Sequence, residues 1–219
     1  MTMTKVTLAP TFIFAWASKN FSLPTRKKMP GQGERPPPAA GMTFATVPKL
    51  IISFKNLNTM SRKISLIVIH CSATRCNRNY TVQQLFHDHV EVNHWRFIGY
   101  HYYIRRNGRI EETRPLERMG AHAKGYNAHS IGICYEGGLD EQGRPADTRT
   151  PEQKKAMATL IVQLKQQFPA IATVLGHCDL PGVQKACPCF DATALQPLLQ
   201  VKRLEDLDQM FLKEEGGEQ

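Results

Sequence analysis

The hydrophobic pattern of the chain becomes regular at Ile64 and stays regular almost to the C-terminus. Four short apolar runs, rich in β-branched and aromatic residues, have the length and composition of buried strands: 64–69, 99–104, 130–135 and 171–175. After the second run, Asn107 and Gly108 indicate a tight turn, and a returning strand is expected over 110–113.

The first amphipathic segment lies between the first two predicted strands. Thr81, followed three residues later by Gln84, predicts a helix that begins with a capping box. We expect this helix to run to about Trp95. Its predicted inward face consists of Val82, Leu85, Phe86 and His89.

The second amphipathic segment carries the clearest helix signal in the chain. Thr150, Pro151 and Gln153 are a cap, a first-turn proline and a reciprocal glutamine, and Pro169 ends the pattern. The predicted apolar stripe is Met157, Leu160, Ile161, Leu164 and Phe168. A short helix over 192–203 is expected to close the domain. Strands that alternate with helices predict an α/β fold, a single domain with a central mixed β-sheet flanked by helices.

Residues 1–59 differ from the rest of the chain. They contain seven of the 14 prolines and show no sustained periodicity, so we expect a disordered, basic, Pro-rich leader before the domain. Their apolar run over 6–17 is too short to span a bilayer and makes no convincing signal peptide. The folded domain is expected over 60–204, and the acidic residues 205–219 are predicted to form a frayed tail.

The positive charge of the chain is concentrated in the leader. The net charge is +9, from 28 Lys and Arg against 19 Asp and Glu. Residues 1–59 hold eight of the basic residues and one acidic residue, a balance of +7, so the remainder carries only +2. A nearly neutral domain argues against a nucleic-acid partner, because phosphate binding needs basic residues gathered on the folded surface.

Candidate chemistry lies where two predicted strands end. His70 follows the first strand and His177 follows the last, and the carboxyl ends of strands are the usual edge for a site in an open α/β sheet. Cys187 lies in the loop after His177, beside Lys185. Two neutral imidazoles and one thiolate are a sufficient protein shell for a catalytic zinc ion. The spacing alone leaves other thiols eligible, namely Cys178 and Cys189.

Five motifs in order extend this picture. VIHCSAT contains His70, GYHY contains Tyr100, GAHAKGYN contains His122, SIGI begins at Ser130, and KACP contains Cys187. In these motifs the chain resembles the zinc-dependent N-acetylmuramoyl-L-alanine amidases of the type 2 family. It is most similar to their bacteriophage-lysozyme-like branch, which is related to the peptidoglycan recognition proteins. The resemblance covers roughly residues 63–191.

The resemblance implies a reaction and a set of roles. The reaction is hydrolysis of the amide bond between N-acetylmuramic acid and L-alanine in peptidoglycan. The implied cofactor is one Zn²⁺ held by His70, His177 and Cys187, with a water as the fourth ligand. Tyr100 and Lys185 match the two additional catalytic positions of the phage branch. A phenol and an ammonium can both donate to the oxyanion that forms during amide hydrolysis.

The loop that contains His122 is the candidate substrate-binding segment. His122, Lys124 and Asn127 suit the amides, hydroxyls and carboxylates of a glycopeptide, although a loop-shaping role fits them equally well. Cys178 and Cys189 depart from the family pattern. Adjacent residues seldom reach one metal, so Cys178 is expected to be structural, whereas Cys189 is expected either to compete for zinc or to form a disulfide with Cys187.

Partners and alternatives follow from the same residues. We expect a monomer that binds peptidoglycan, without a nucleic-acid partner or a stable membrane anchor. It would stay in the cytoplasm until lysis or be exported to the wall. A peptidoglycan-recognising module without hydrolytic activity is the alternative function. Cys187 discriminates between them, because the non-catalytic relatives typically lack this ligand.

Overall fold

The structure, a computed structural model, describes residues 62–215 of the chain. The predicted leader over 1–59 lies outside the described residues. The strands are β1 Leu66–Cys71, β2 Thr74–Arg75, β3 Tyr102–Ile104, β4 Ile110–Glu112, β5 Ser130–Tyr135, β6 Gly138–Leu139 and β7 Thr173–Gly176. The helices are α1 Val82–Phe86, α2 Pro151–Gln167 and α3 Leu204–Glu215.

Five of the strands form one mixed sheet in the order β4-β3-β5-β1-β7. Strand β1 pairs in parallel with β5 and β7, β3 pairs in parallel with β5, and β4 closes the edge antiparallel to β3. With helices packed against it, this sheet confirms the predicted α/β fold with a central mixed sheet. The two remaining strands, β2 and β6, pair with each other, and each is too short to be visible as a sequence pattern.

Strand β1 is the centre of the sheet, and every one of its residues is buried. It begins at Leu66, two residues later than predicted, and it continues through His70 and Cys71. The register places His70 opposite Cys134 and Ile69 opposite Gly176. The candidate ligand His70 therefore belongs to the rigid strand itself.

Helix α1 begins as predicted and then changes geometry. Thr81 and Gln84 form both halves of the capping box. After Phe86 the chain continues as a π-helical turn, His87–Val92, so the helical segment ends before the predicted Trp95. Phe86 was expected to face inward, but it is 44% exposed. Leu85 already occupies the buried face, and the next residue along a helix points about 100° away.

Helix α2 matches its sequence signals closely. Its capping box joins Thr150 and Gln153, and the predicted residues Met157, Leu160, Ile161 and Leu164 are fully buried. Phe168 is the C-cap and is only partly buried. The buried Gln153 side chain also donates to the carbonyls of Ile104 and Glu136, at 3.1 and 2.9 Å. These bonds fasten the start of the helix to β3 and to the end of β5.

The C-terminal region differs from the prediction. The expected helix over 192–203 is a 3₁₀ helix, Ala192–Gln200, with Pro197 inside it. Within the described residues, the tail that was expected to fray forms α3, up to Glu215. Leu204, Leu207 and Phe211 have the spacing of an apolar stripe, and Leu207 is buried. No helix within residues 62–215 is both long and apolar enough to cross a membrane.

Candidate metal centre

The two histidines and the cysteine that were expected to bind zinc lie together. His70 is the residue before the last in β1, and His177 begins a short 3₁₀ turn directly after β7. Cys187 lies in the loop that follows this turn. Their ligand atoms all lie within 4.8 Å of one another. The Nδ1 atom of His70 is 3.8 Å from the Cys187 sulfur. This group can hold a metal ion, because β1 and β7 are adjacent parallel strands whose carboxyl ends meet.

The surroundings of the three residues shift their pKa values toward the deprotonated forms that bind a metal. Burial, followed by the charges of neighbouring groups, lowers the pKa of His70 well below its ordinary value, and burial also lowers the pKa of His177. The pKa of Cys187 is lowered because Cys71 donates to its sulfur, from its thiol and from its backbone N–H at 3.3 Å. Neutral imidazoles and a stabilised thiolate are donors that suit a borderline-soft divalent ion.

The loop that carries Cys187 is held in place by several fixed contacts. The Tyr135 hydroxyl donates to the carbonyl of Pro188 at 2.7 Å. The guanidinium carbon of Arg149 lies 3.2 Å from the centre of the Phe190 ring. Gly176 faces the same loop, and a Cβ atom there would come within 2.6 Å of Pro188. The cysteine ligand is therefore positioned by packing on both sides of it.

His122 is the partner of His70 on the side away from Cys187. Its Nδ1 lies 3.1 Å from His70 Nε2, and its Nε2 lies 3.4 Å from the Ser130 hydroxyl. With His70 Nδ1 toward the metal group, His70 Nε2 carries the proton and donates to His122. Two glycines make room for the His122 ring, since a Cβ at Gly120 or Gly132 would lie 2.4–2.5 Å from it. Such a partner fixes the orientation and tautomer of a ligand histidine.

The other two predicted substrate-binding residues have different surroundings. The Asn127 side-chain oxygen accepts from the backbone N–H groups of His122 and Ala123, both at 2.9 Å. Asn127 therefore shapes the loop that presents His122. Lys124 is exposed on the same loop. Contact of His122, Lys124 and Asn127 with substrate stays a prediction.

Tyr100 and Lys185 both lie beside the metal group. The Tyr100 ring centre is 5.1 Å from that of His70. Burial raises the pKa of Tyr100 well above its ordinary value, so its hydroxyl stays protonated and able to donate. Lys185 is exposed, and its positive charge is one cause of the lowered pKa values of His70 and His177. Each residue therefore acts on His70, and the catalytic roles of Tyr100 and Lys185 stay predictions.

Sequence reasoning did not single out the residues beneath His122. His101 is completely buried, and its Nδ1 accepts from the backbone N–H of Gly132 at 3.0 Å. Its Nε2 therefore carries the proton and donates to the Arg118 carbonyl at 3.1 Å. Arg62 contacts the same ring and donates to the carbonyls of Leu116, Asn127 and Ser130. The position of His101 next to Tyr100 in the GYHY motif was the available signal.

Neither additional cysteine belongs to the metal group. Within residues 62–215, the group that can hold an ion consists of His70, His177 and Cys187. The Cys178 sulfur lies 3.6 Å from an Asp179 oxygen, and the Cys189 sulfur lies 3.8 Å from that of Cys71. The loop therefore directs Cys187 and Cys189 toward neighbouring residues of β1.

Comparison with known proteins finds relatives of this chain. The family described as Amidase_2, N-acetylmuramoyl-L-alanine amidase, matches residues 60–190. The endolysin of Klebsiella phage KP32 is 40% identical over 133 residues, which cover 61% of this chain and 85% of that protein. Peptidoglycan-recognition protein SC1a of Drosophila melanogaster is 35% identical over 132 residues, covering 57% and 68%. The structure of the N-acetylmuramoyl-L-alanine amidase LysC from Clostridium intestinale URNW matches with a TM-score of 0.54 and 31% identity, covering 64% and 88%.

Proposed function

Because the chain belongs to the N-acetylmuramoyl-L-alanine amidase family, we propose that it hydrolyses the amide bond between N-acetylmuramic acid and L-alanine in peptidoglycan, as a zinc enzyme of cell-wall lysis. The observation that carries this proposal is the convergence of His70, His177 and Cys187 within 4.8 Å. A module that only binds peptidoglycan has no need for a third ligand or for a stabilised thiolate.

The three residues would hold one zinc ion. Two neutral imidazoles and one thiolate leave a net positive charge on the bound ion, and three protein ligands leave a coordination position free. When bound, zinc polarises the scissile carbonyl and lowers the pKa of water toward 7. The protein favours the deprotonated form of all three donors, because burial lowers the pKa values of His70 and His177 and the bonds that Cys71 donates lower the pKa of Cys187.

Lys185 and Tyr100 act on the charge that develops at the carbonyl oxygen. The Lys185 ammonium is close enough to His70 and His177 to lower their pKa values, so its charge also reaches the reacting carbonyl. Tyr100 lies against the His70 ring with its hydroxyl protonated. It donates a hydrogen bond to the attacking water or to the tetrahedral intermediate.

His122 acts through His70 and is a positioning residue. The 3.1 Å contact between the two rings holds the His70 Nδ1 lone pair toward the metal group. Lys124 lies exposed beyond it, where a carboxylate of the stem peptide can approach. Peptidoglycan is the proposed partner, bound by a monomer.

The test is the release of stem peptides from purified peptidoglycan. Zinc-loaded protein should release them, a chelator should stop the reaction, and added zinc should restore it. Cys187→Ser should lose at least about a hundredfold in activity, since even the loss of a residue behind a metal ligand costs 10–100-fold. Cys178→Ser is the matched control, because Cys178 lies outside the metal group, and it should retain activity.

Two results would contradict the proposal. Chelator-resistant cleavage, or full activity of Cys187→Ser, would exclude the zinc mechanism. Binding of the zinc-loaded protein to peptidoglycan without any release of peptides would instead establish the recognition module.

A further inference from the structure

The thiols of Cys71 and Cys189 form a pair that the proposed reaction does not use. Their sulfur atoms are 3.8 Å apart, although the residues are 118 positions apart in the sequence. Neither residue belongs to the group that can hold a metal ion within residues 62–215. Each is nevertheless close in sequence to a member of that group, since Cys71 follows His70 and Cys189 is two residues after Cys187.

The surroundings of the pair leave room for both sulfurs. Cys71 is 5% exposed at the end of β1, where it pairs with Tyr135 of β5. Gly138 lies over the pair, and a Cβ atom there would be 2.5 Å from the Cys71 sulfur and 3.6 Å from the Cys189 sulfur. Cys189 is half-buried and has a left-handed φ of 69°, a conformation in which the loop turns its thiol toward Cys71.

The third thiol of the region, Cys187, also contacts Cys71, whose thiol donates to the Cys187 sulfur. The Cys187 sulfur faces His70 Nδ1 at 3.8 Å and accepts from the backbone N–H of Cys71 at 3.3 Å. A disulfide between Cys187 and Cys189 would pull this sulfur away from both contacts. A disulfide between Cys71 and Cys189 needs the two sulfurs to approach by about 1.8 Å, to the usual bond length of about 2.05 Å.

We propose that Cys71 and Cys189 form a disulfide under oxidising conditions, which fastens the metal-binding loop to β1 and leaves Cys187 free to bind the ion. Formation of the disulfide depends only on these two thiols and not on the proposed enzymatic activity. Its consequence, an active enzyme with a clamped loop, rests on the proposed function.

A small-molecule disulfide such as oxidised glutathione is a sufficient oxidant. The more accessible Cys189 thiolate attacks it, forms a mixed disulfide and releases one glutathione thiolate. The Cys71 thiolate then attacks the Cys189 sulfur and releases the second. Two protein thiols are oxidised by two electrons, one oxidised glutathione is reduced to two thiols, and these take up the two protons.

The experiment uses the full zinc-loaded chain incubated with oxidised glutathione. Peptide mapping by mass spectrometry without reduction should find the peptides of Cys71 and Cys189 joined. The bound zinc should stay at one per chain, and the melting temperature should rise by up to about 10 °C, reversibly with reductant. Cys189→Ser should abolish both the link and the rise, and Cys178→Ser, the matched control, should keep both.

A link between Cys187 and Cys189, loss of zinc on oxidation, or persistent free thiols at Cys71 and Cys189 would overturn the disulfide proposal. Mapping and zinc content require no turnover, so they decide the matter even if the chain releases no stem peptide. If the chain is active, the oxidised form should retain activity within about twofold, since Cys187 stays outside the disulfide and keeps the hydrogen bond from the Cys71 backbone N–H, and a complete loss would also overturn the proposal.

Discussion

The side of the metal group that faces the sheet and the side that faces solvent differ in how firmly their residues are held. On the sheet side, His70 contacts His122, and His122 lies between Gly120 and Gly132 and above the buried ring of His101. On the solvent side, Lys185 and Lys124 are exposed, and each lies in a loop.

The difference separates two tasks that a metal hydrolase must perform. The buried rings have fixed partners, so they set the geometry of the ligands before any substrate arrives. The exposed lysines stay hydrated, so their placement costs little desolvation free energy and their charge remains available to a ligand. Substitutions on the sheet side should therefore change metal affinity and stability, whereas substitutions on the solvent side should change turnover or substrate binding and leave metal affinity unchanged.

The largest effect is expected at Lys185, on the solvent side. Lys185→Ala should lower kcat by about 100–1,000-fold, as removal of one oxyanion donor does elsewhere. The affinity for zinc should hardly change, since Lys185 is no ligand. The measurements are steady-state release of stem peptides and zinc competition with a chromophoric chelator.

The matched control for Lys185 is Lys202→Ala, an exposed lysine after the 3₁₀ helix, which should behave as wild type. A Lys185→Ala variant that lost zinc, with a normal kcat per bound zinc, would contradict the division of roles between the sheet side and the solvent side. Lys185 would then belong to the metal-holding side.

The next effect is expected at His122, on the sheet side. His122→Ala removes the acceptor of the His70 Nε2 proton and leaves that donor buried. Zinc affinity should fall by about 10–100-fold, and the free energy of unfolding should fall by about 1–3 kcal/mol. At saturating zinc, kcat should recover. His122→Gln, whose amide oxygen can accept, should restore part of the affinity.

The control for His122 is His87→Ala, a surface histidine that pairs with Glu91. It should leave zinc affinity unchanged. A His122→Ala variant with normal zinc affinity and a raised KM would instead support the substrate-binding role predicted from the sequence.

Much of the fold could be predicted from the sequence because the strongest hydrophobic and capping patterns coincide with fully buried strands and helices. Strand β5 and the capping box of α2 match their sequence signals, and the apolar residues of β1 mark the centre of the sheet. The mismatches have local causes. Strand β1 extends through His70 and Cys71 because β5 pairs with it that far, which no propensity of histidine or cysteine indicates.

The candidate site could be predicted from the sequence only in part, because some of its contacts depend on long-range loop placement. The proximity of His70 and His177 follows from adjacent parallel strands, and the choice of Cys187 came from the family resemblance. The contact between His70 and His122 depends on a loop placed by Asn127 and Arg62, which bind its backbone. Such long-range placement leaves no periodicity in the sequence, so the positioning role of His122 became visible only in the structure.

A smaller effect is expected of acid pH on the free energy of unfolding. Measured on the metal-free protein, it tests the buried histidines of the sheet side. Burial lowers the pKa of His101 to about 3, from an ordinary value of 6.5. Below pH 6.5 the unfolded chain binds a proton that the folded chain does not, so stability is fully present above that pH and is lost as the pH falls. The loss should be about 1.4 kcal/mol per pH unit for this residue. His70 and His122, whose pKa values are also lowered, should add to it.

The measurement is denaturant unfolding of the chelated protein at several pH values between 7 and 5. The His101→Asn variant should be less stable at pH 7, and its stability should fall less steeply with acid. An unchanged slope in this variant would show that His101 takes up its proton in the folded protein.

The smallest effect is expected at Lys124, the exposed lysine on the loop of His122. An exposed ion pair contributes roughly 0–1 kcal/mol, so Lys124→Ala should raise KM by up to about fivefold. Neither kcat nor zinc affinity should change, because the loop is held by Asn127 and not by the lysine. Higher salt should raise the KM of the wild type toward that of the variant, since exposed charges are screened. A loss of zinc in Lys124→Ala would contradict the separation of the two sides, because an exposed residue would then be acting on the buried rings.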